Sequence, residues 1–389
     1  MKRFVPTAVL MICLPVCATP SATALDEKVR QAMAATSAQG LAIAVVERGR
    51  VIRTAAYGVR NVQRDALRTD TIMYGASLTK AAFAYMVLQL VDDGIIQLDT
   101  PIERYLDRPL PAYTTEEKYA PWSDLAGDER WRQLTPRMLL SHRSGFANFA
   151  FVEPDGKLRI HFEPGSRYAY SGEGLILLQF VLERGLGLDV GSEMQRRVFD
   201  RFGMPNTSMI WRADFAKNLA DGWMLDGRVE PHDQRSKVRA AGSMDTTIGD
   251  IARFAAGLVR GDGLKPASAR EFKRFGFPIT TQSQFPTLQP ELPVDQRISK
   301  LRSGLGVIRF HGPQGPGFMK GGHNDSTGNT MVCLERRQRC IVLLANDVRA
   351  EAAFPELVRF VLGETGVPWR WKYGGMNFWR PGVATQALE

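Results

Sequence analysis

The chain has 389 residues, 44% of them hydrophobic and 23% charged, with a formal charge of +9. That length can bury a large core and suggests two domains or one composite domain of an ordinary globular protein. Its Lys and Arg residues are scattered rather than run together, which argues against a nucleic-acid-binding stripe and reads as a solvated surface, with a mild bias towards anionic partners.

The first 24 residues read as a secretory signal peptide. Lys2-Arg3 is a charged start, residues 4–16 form an apolar stretch too short for a stable membrane anchor, and Ala22-Thr23-Ala24 is an A-x-A cleavage site. The residues before Cys17 lack the small side chain that lipidation needs. No later segment is long and apolar enough to span a bilayer, so the expected location is periplasmic or secreted.

Residues 25–38 form an amphipathic helical pattern. Residues 40–46 and 51–57, joined by Glu47-Arg48-Gly49-Arg50, predict a β-hairpin. Ser77-Leu78-Thr79-Lys80 follows, the one S-x-x-K in the chain, and the apolar residues 81–91 predict a helix that stops at Gly94. Thr100-Pro101 and Thr135-Pro136 each read as a helix cap followed by a first-turn proline. Residues 108–132 read as surface loops, 175–185, 190–202 and 246–260 as helices, and 262–300 as loop. Strand signals return at 305–310, 329–334 and 340–344, and a last helix covers 350–362. This order predicts an α/β fold: an antiparallel sheet flanked by helices, with an inserted mostly helical domain and a cleft between them. The boundaries are 25–100 with 301–389 for the sheet domain and 101–300 for the insert.

Three stretches carry candidate chemistry. Lys80 lies one helical turn beyond Ser77, close enough to take its hydroxyl proton if burial lowers the amine pKa, and the helix N-terminus suits a developing oxyanion. Alone, the same tetrapeptide also describes a capping serine with an exposed lysine. Glu163 to Gly172 contains a Pro-Gly turn and then Tyr168-Ala169-Tyr170, which could aim a phenol at a site. Lys320-Gly321-Gly322-His323-Asn324-Asp325-Ser326-Thr327-Gly328 pairs glycines that admit a close substrate backbone with cations that could bind a carboxylate.

Together, Ser77-x-x-Lys80, Tyr170-Ser171-Gly172 and the 320–328 stretch resemble, in order and spacing, the penicillin-recognising serine hydrolases: class C β-lactamases, D-alanyl-D-alanine carboxypeptidases and their family VIII esterase-like relatives. The flanks Leu139 to Gly145, Ala240 to Met244 and Val342 to Asn346 agree with it, and the resemblance covers roughly residues 40 to 365. It implies the β-lactamase/penicillin-binding-protein-like fold. It also implies that Ser77 is the acylated nucleophile, that Lys80 and Tyr170 share proton transfer, and that the third motif binds substrate. Two departures stand out. The position usually held by an asparagine amide is Gly172, which weakens the case for an efficient β-lactamase or peptidase and raises that for an esterase. The third motif has two registers. One places Lys320 in the cation position with His323 as second oxyanion donor. The other, slightly favoured, places His323 there with Ser326 as donor.

The function expected is acyl-enzyme hydrolysis of β-lactams or D-Ala-type peptides, with an esterase or a non-catalytic penicillin- or cell-wall-peptide-binding protein as alternatives. No metal or organic cofactor is implied, and the absence of a C-x-x-C pair and of H-E-x-x-H argues against a zinc site. The partner expected is a small-molecule or peptide substrate, without nucleic acid. No G-x-S-x-G occurs, and His142 reads as structural. Cys333 and Cys340 flank a polar connection between two apolar runs, a spacing that predicts a disulfide across a hairpin in an oxidising compartment.

Overall fold

The structure is a computed structural model, and it describes residues 19–115 and 119–374. In chain order its helices are α1 (Ala22–Thr36), α2 (Thr79–Asp92), α3 (Pro136–Leu140), α4 (Gly172–Phe180), α5 (Val190–Met194), α6 (Ile248–Arg260), α7 (Pro266–Lys273), α8 (Phe354–Leu362) and α9 (Trp369–Tyr373). The strands are β1 (Gly40–Glu47), β2 (Arg50–Gly58), β3 (Met73–Tyr74), β4 (Gly222–Trp223), β5 (Val229–Glu230), β6 (Asp245–Thr246), β7 (Phe277–Pro278), β8 (Leu301–Ser303), β9 (Ile308–Gly312), β10 (Gly315–His323), β11 (Gly328–Leu334) and β12 (Arg339–Ala345). Among the described residues, eight of these make one antiparallel sheet in the order β2-β1-β12-β11-β10-β9-β8-β7.

Terminal segments meet in this sheet because β1 pairs with β12, Leu41 opposite Ala345 and Val46 opposite Cys340. Both strands are buried on both faces, so they read as continuous apolar runs. Leu41, Ile43 and Val45 pack with α1 and α8 on one side, while Ala42, Ala44 and Val46 join α2 and α6 on the other. The hairpin and the expected α/β fold are present.

Helix ends follow the sequence signals where a cap is made. Thr247 accepts from the Asp250 N–H, and α6 ends at Gly261 with φ 88°. Thr135 likewise caps α3 through the Met138 N–H. At Thr100-Pro101 only a short 3-10 turn forms over Ile102–Tyr105, without a side-chain cap. The chain turns extended at Leu106, φ −99° and ψ 144°, before a full helix forms. The helix read from residue 25 begins at Ala22 with Ser21 as its cap, so Ala22-Thr23-Ala24 forms its first turn. The rest of the expected leader, residues 1–18, lies outside the described residues. No helix among them is long and apolar enough to cross a membrane.

Two elements of segment 101–300 reach the sheet. Strand β7 from its end pairs with β8 at the sheet edge, and α6 contributes Ile251, Ala255 and Leu258 to the sheet's own core. The loop expected over 262–300 also contains α7, whose Phe272 is buried against Tyr85 and Phe318.

Cys333 and Cys340 are cross-strand partners of β11 and β12, bonded as a disulfide with Cα atoms 4.1 Å apart. Constraining so short a loop in the unfolded chain is worth about 2–3 kcal/mol. Urea unfolding with dithiothreitol present is expected to show that loss relative to the oxidised protein, and coincident curves would mean that the bond contributes no net stability.

Candidate active site

Ser77 stands on a 3-10 turn, Ala76–Leu78, that runs directly into α2. Ala76 immediately before it has φ 46°, the left-handed region that a residue with a Cβ enters at a cost of about 1–3 kcal/mol. Neighbouring contacts hold the turn. The Gly75 N–H donates to the Met244 carbonyl at 2.9 Å, and Thr79 Oγ1 donates to the Ala76 carbonyl at 2.6 Å. The β3–β6 pairing and the Asn329 amide, which donates to the Tyr74 carbonyl at 2.9 Å, fix the approach from behind. Gly322 on β10 lies against the same turn: a Cβ there would sit 2.5 Å from the Gly75 oxygen and 3.1 Å from Ser77 N. This close approach requires glycine at that position.

Lys80 projects from the first turn of α2 and is 1% exposed. Its Nζ lies 2.8 Å from Ser77 Oγ and donates to the Ala241 carbonyl at 2.6 Å. Burial disfavours the ammonium and brings its pKa down from 10.5 to about 7. As a neutral amine it can accept the Ser77 proton while still donating to Ala241.

Tyr170 is buried just before α4. Burial pushes its phenol well above the ordinary tyrosine value, partly offset by hydrogen bonding with Ser77. The hydroxyl accepts from Lys320 Nζ at 3.1 Å, and the ring is clamped between Phe285, 5.2 Å away, and His142, 4.5 Å away. His142 Nδ1 accepts the Ser171 N–H at 3.2 Å. Burial, then the Lys320 and Lys80 charges, hold its imidazole far below the usual pKa, so it is a neutral packing ring.

Ser77, Lys80, Tyr170 and Lys320 therefore meet at one point, whereas His323 and Ser326 are engaged elsewhere. His323 Nδ1 lies 2.9 Å from the buried Glu351 carboxylate. Ser326 donates its hydroxyl to Glu230 and its backbone N–H to Asn324 Oδ1 at 3.2 Å. An N–H turned towards Asn324 is not aimed at the nucleophile. The geometry thus favours the Lys320 register over the His323 register preferred from sequence. Lys320 is itself buried, and burial, then Lys80 and Lys372, lower its pKa strongly.

At Gly172 a side chain has no room: a Cβ would lie 2.4 Å from the Phe149 ring. The Gly172 N–H instead donates to Asn148 Oδ1 at 3.0 Å, which orients that carboxamide beside the cleft. The cavity measures about 790 Å³. Asn148, Phe149, Arg235, Lys372 and Tyr373 line it and escaped the sequence reading. Only Gly172, as a missing side chain, hinted that neighbours would fill its place.

A family model described as Beta-lactamase matches residues 25–363. The chain belongs to the beta-lactamase family. Solved members of that fold superpose on most of it. The octameric penicillin-binding protein homologue from Pyrococcus abyssi has a TM-score of 0.68 at 17% identity, covering 88% of this chain and 78% of its own. The D-alanine carboxypeptidase AmpC of Burkholderia cenocepacia also has a TM-score of 0.68, at 18% identity over 88% and 99% of the two chains. At these identities they show the beta-lactamase fold alone. Among curated relatives, an unguisins hydrolase of Aspergillus campestris is 25% identical over 62% of this chain and 48% of its own. The lovastatin esterase of Penicillium rubens is 28% identical over 41% and 45%, and the monacolin J acid methylbutanoyltransferase of Aspergillus terreus 26% over 68% and 70%. The chain thus spans about half the length of the first two. This beta-lactamase family member has both esterases and acyltransferases among its relatives.

Proposed function

We propose that the protein is a serine hydrolase that forms an acyl-enzyme on Ser77, acting on esters of small carboxylic acids ahead of β-lactams and D-Ala peptides. The observation that carries the proposal is the 2.8 Å approach of Lys80 Nζ to Ser77 Oγ, with an amine pKa near 7. Ser77 Oγ bonds to the substrate carbonyl carbon as its proton passes to Lys80. The N–H groups of Ser77 and His323 receive the oxyanion, the one at a helix start and the other on the adjoining end of β10. Collapse breaks the bond to the leaving oxygen, which takes a proton relayed from Lys80 by Tyr170, itself hydrogen-bonded to Lys320. Water, deprotonated through the same Lys80–Tyr170–Lys320 group, then releases the acid and returns Ser77.

The preference for esters follows from Gly172. The Phe149 ring fills the space an asparagine side chain would need, which removes the usual grip on a substrate acylamide. Asn148, fixed by the Gly172 N–H, offers a carboxamide from a different direction. The β-lactam reading is supported by the Lys320-Gly321-Gly322 register. Export to an oxidising compartment fits the leader-like start and the Cys333–Cys340 bond.

Intact mass of the protein during incubation with a penicillin, a D-Ala-D-Ala peptide and a short-chain 4-nitrophenyl ester separates the readings. Rapid Ser77-dependent ester turnover with slow or absent penicillin turnover is expected. Rapid penicillin hydrolysis would make the β-lactamase reading the right one. A lasting penicillin adduct would point to a carboxypeptidase or penicillin-binding role. Saturable binding without any product would indicate a binding protein.

A further inference from the structure

The family match ends at residue 363, yet α9, beyond it, enters the same cleft. Lys372 and Tyr373 line the cavity beside Gly321, Gly322 and Glu351. Lys372 is 4% exposed, and its Nζ donates to Tyr373 Oη at 2.7 Å and to Thr330 Oγ1 at 3.3 Å. Gly321 makes the space: a Cβ there would lie 2.9 Å from both Lys372 Cε and Nζ. The missing middle side chain of the third motif is what admits this lysine.

The helix that carries it is fixed. Trp371 is buried, its indole donates to Thr281 Oγ1 at 3.2 Å, and its carbonyl accepts the Gln284 N–H at 2.8 Å. Both hydrogen-bond partners of the ammonium are neutral hydroxyls. Among the described residues no carboxylate lies within ion-pair distance of Lys372, and Glu351, the acid whose charge reaches it, is held by His323. A buried ammonium without a counter-ion is under-compensated, and an anion entering the cleft supplies what it lacks. Lys320 suits this role less well, because its Nζ is directed at Tyr170 in the proton-transfer group.

We propose that Lys372, held by Tyr373 and Thr330 on a helix outside the family match, is a specificity-determining residue that receives a substrate carboxylate. The protein's substrates are then esters or amides that carry a free acid. Burial brings the Lys372 pKa down only to about 8, which leaves the ammonium mainly charged at neutral pH. This inference rests on the acyl-transfer reading of the Ser77 cleft.

The test compares kcat/KM for two matched substrate pairs, since the carboxylate can stand on either side of the scissile bond. These are 4-nitrophenyl hemiglutarate with 4-nitrophenyl butyrate, and 3-acetoxybenzoate with phenyl acetate. In at least one pair the wild type is expected to favour the anionic member. Lys372→Met is expected to cut the anionic-to-neutral ratio about 10–100-fold, the range of a charge-assisted contact, and Lys372→Arg to restore most of it. An unchanged ratio in both pairs, or an equal fall of both members, overturns the assignment. If the wild type cleaves none of these through Ser77, the ester reading fails. Lys372 is then judged by calorimetry of glutarate binding to the Ser77→Ala protein. Binding that Lys372→Met abolishes upholds the carboxylate site, and binding that is absent or unaffected rejects it.

Discussion

Ser77→Ala is expected to lower kcat/KM on the best ester about 10⁴–10⁶-fold, the scale on which a covalent nucleophile removed from a preorganised site is felt. The fold should survive. Ser77 is only partly buried, and the turn that presents it is held by main-chain and Thr79 contacts rather than by its own hydroxyl. The residual rate would come from binding and from the oxyanion donors, which the substitution leaves in place. Stopped-flow release of 4-nitrophenol provides the rate, and a thermal melt checks the fold. A variant that folds and keeps more than about a tenth of the activity would put the nucleophile elsewhere, because no positioning effect of one hydroxyl is so small in a site that uses it.

Lys80→Met should cost about 10²–10⁴-fold, the usual contribution of a positioned general base. Its pH dependence distinguishes it from any other loss. Burial destabilises the charged amine and lowers its pKa to about 7, so the fraction able to accept the Ser77 proton rises as pH increases through that value. Wild-type kcat/KM is therefore expected to climb by a factor approaching ten per pH unit below about 7 and to level off above it. Lys80→Met should lose this ascending limb. Tyr170→Phe should keep it, since burial holds the phenol protonated throughout that range. The opposite pattern, with the limb lost in Tyr170→Phe and kept in Lys80→Met, would make the tyrosine the base.

Much of the fold could be read from local signals that the tertiary structure does not override. The β1–β2 hairpin and the strands β11 and β12 are short apolar or β-branched runs with turn residues between them, and α6 is an amphipathic period closed by a threonine cap and a glycine stop. Strand β10 was hidden because five of its nine residues, Gly315, Pro316, Gly317, Gly321 and Gly322, have poor strand propensity. Its glycines answer to neighbours: Gly317 lies under the Phe310 ring, Gly321 beside Lys372 and Gly322 against the Ser77 turn. Helix α7 was hidden in a Pro-, Gln- and Phe-rich stretch, where short length left too few turns for a period to show.

The spacing of Ser77 and Lys80, one turn apart, is a local property, because a helix brings residues three apart onto one face. The continuous apolar runs of β1 and β12 are equally local, and so is the cysteine pair, since a short polar connection between two strands admits few registers. Tertiary structure alone decided which cation meets Tyr170. Lys320 and His323 lie three positions apart on one strand, so the pleat sends them to opposite faces, and only the packing of β10 against the Ser77 turn selects between them. It also decided that Phe149 fills the place left by Gly172 and that Lys372 enters through the gap at Gly321. Those are contacts between residues far apart in the chain, and their geometry depends on the joint packing of whole elements, which no local pattern encodes.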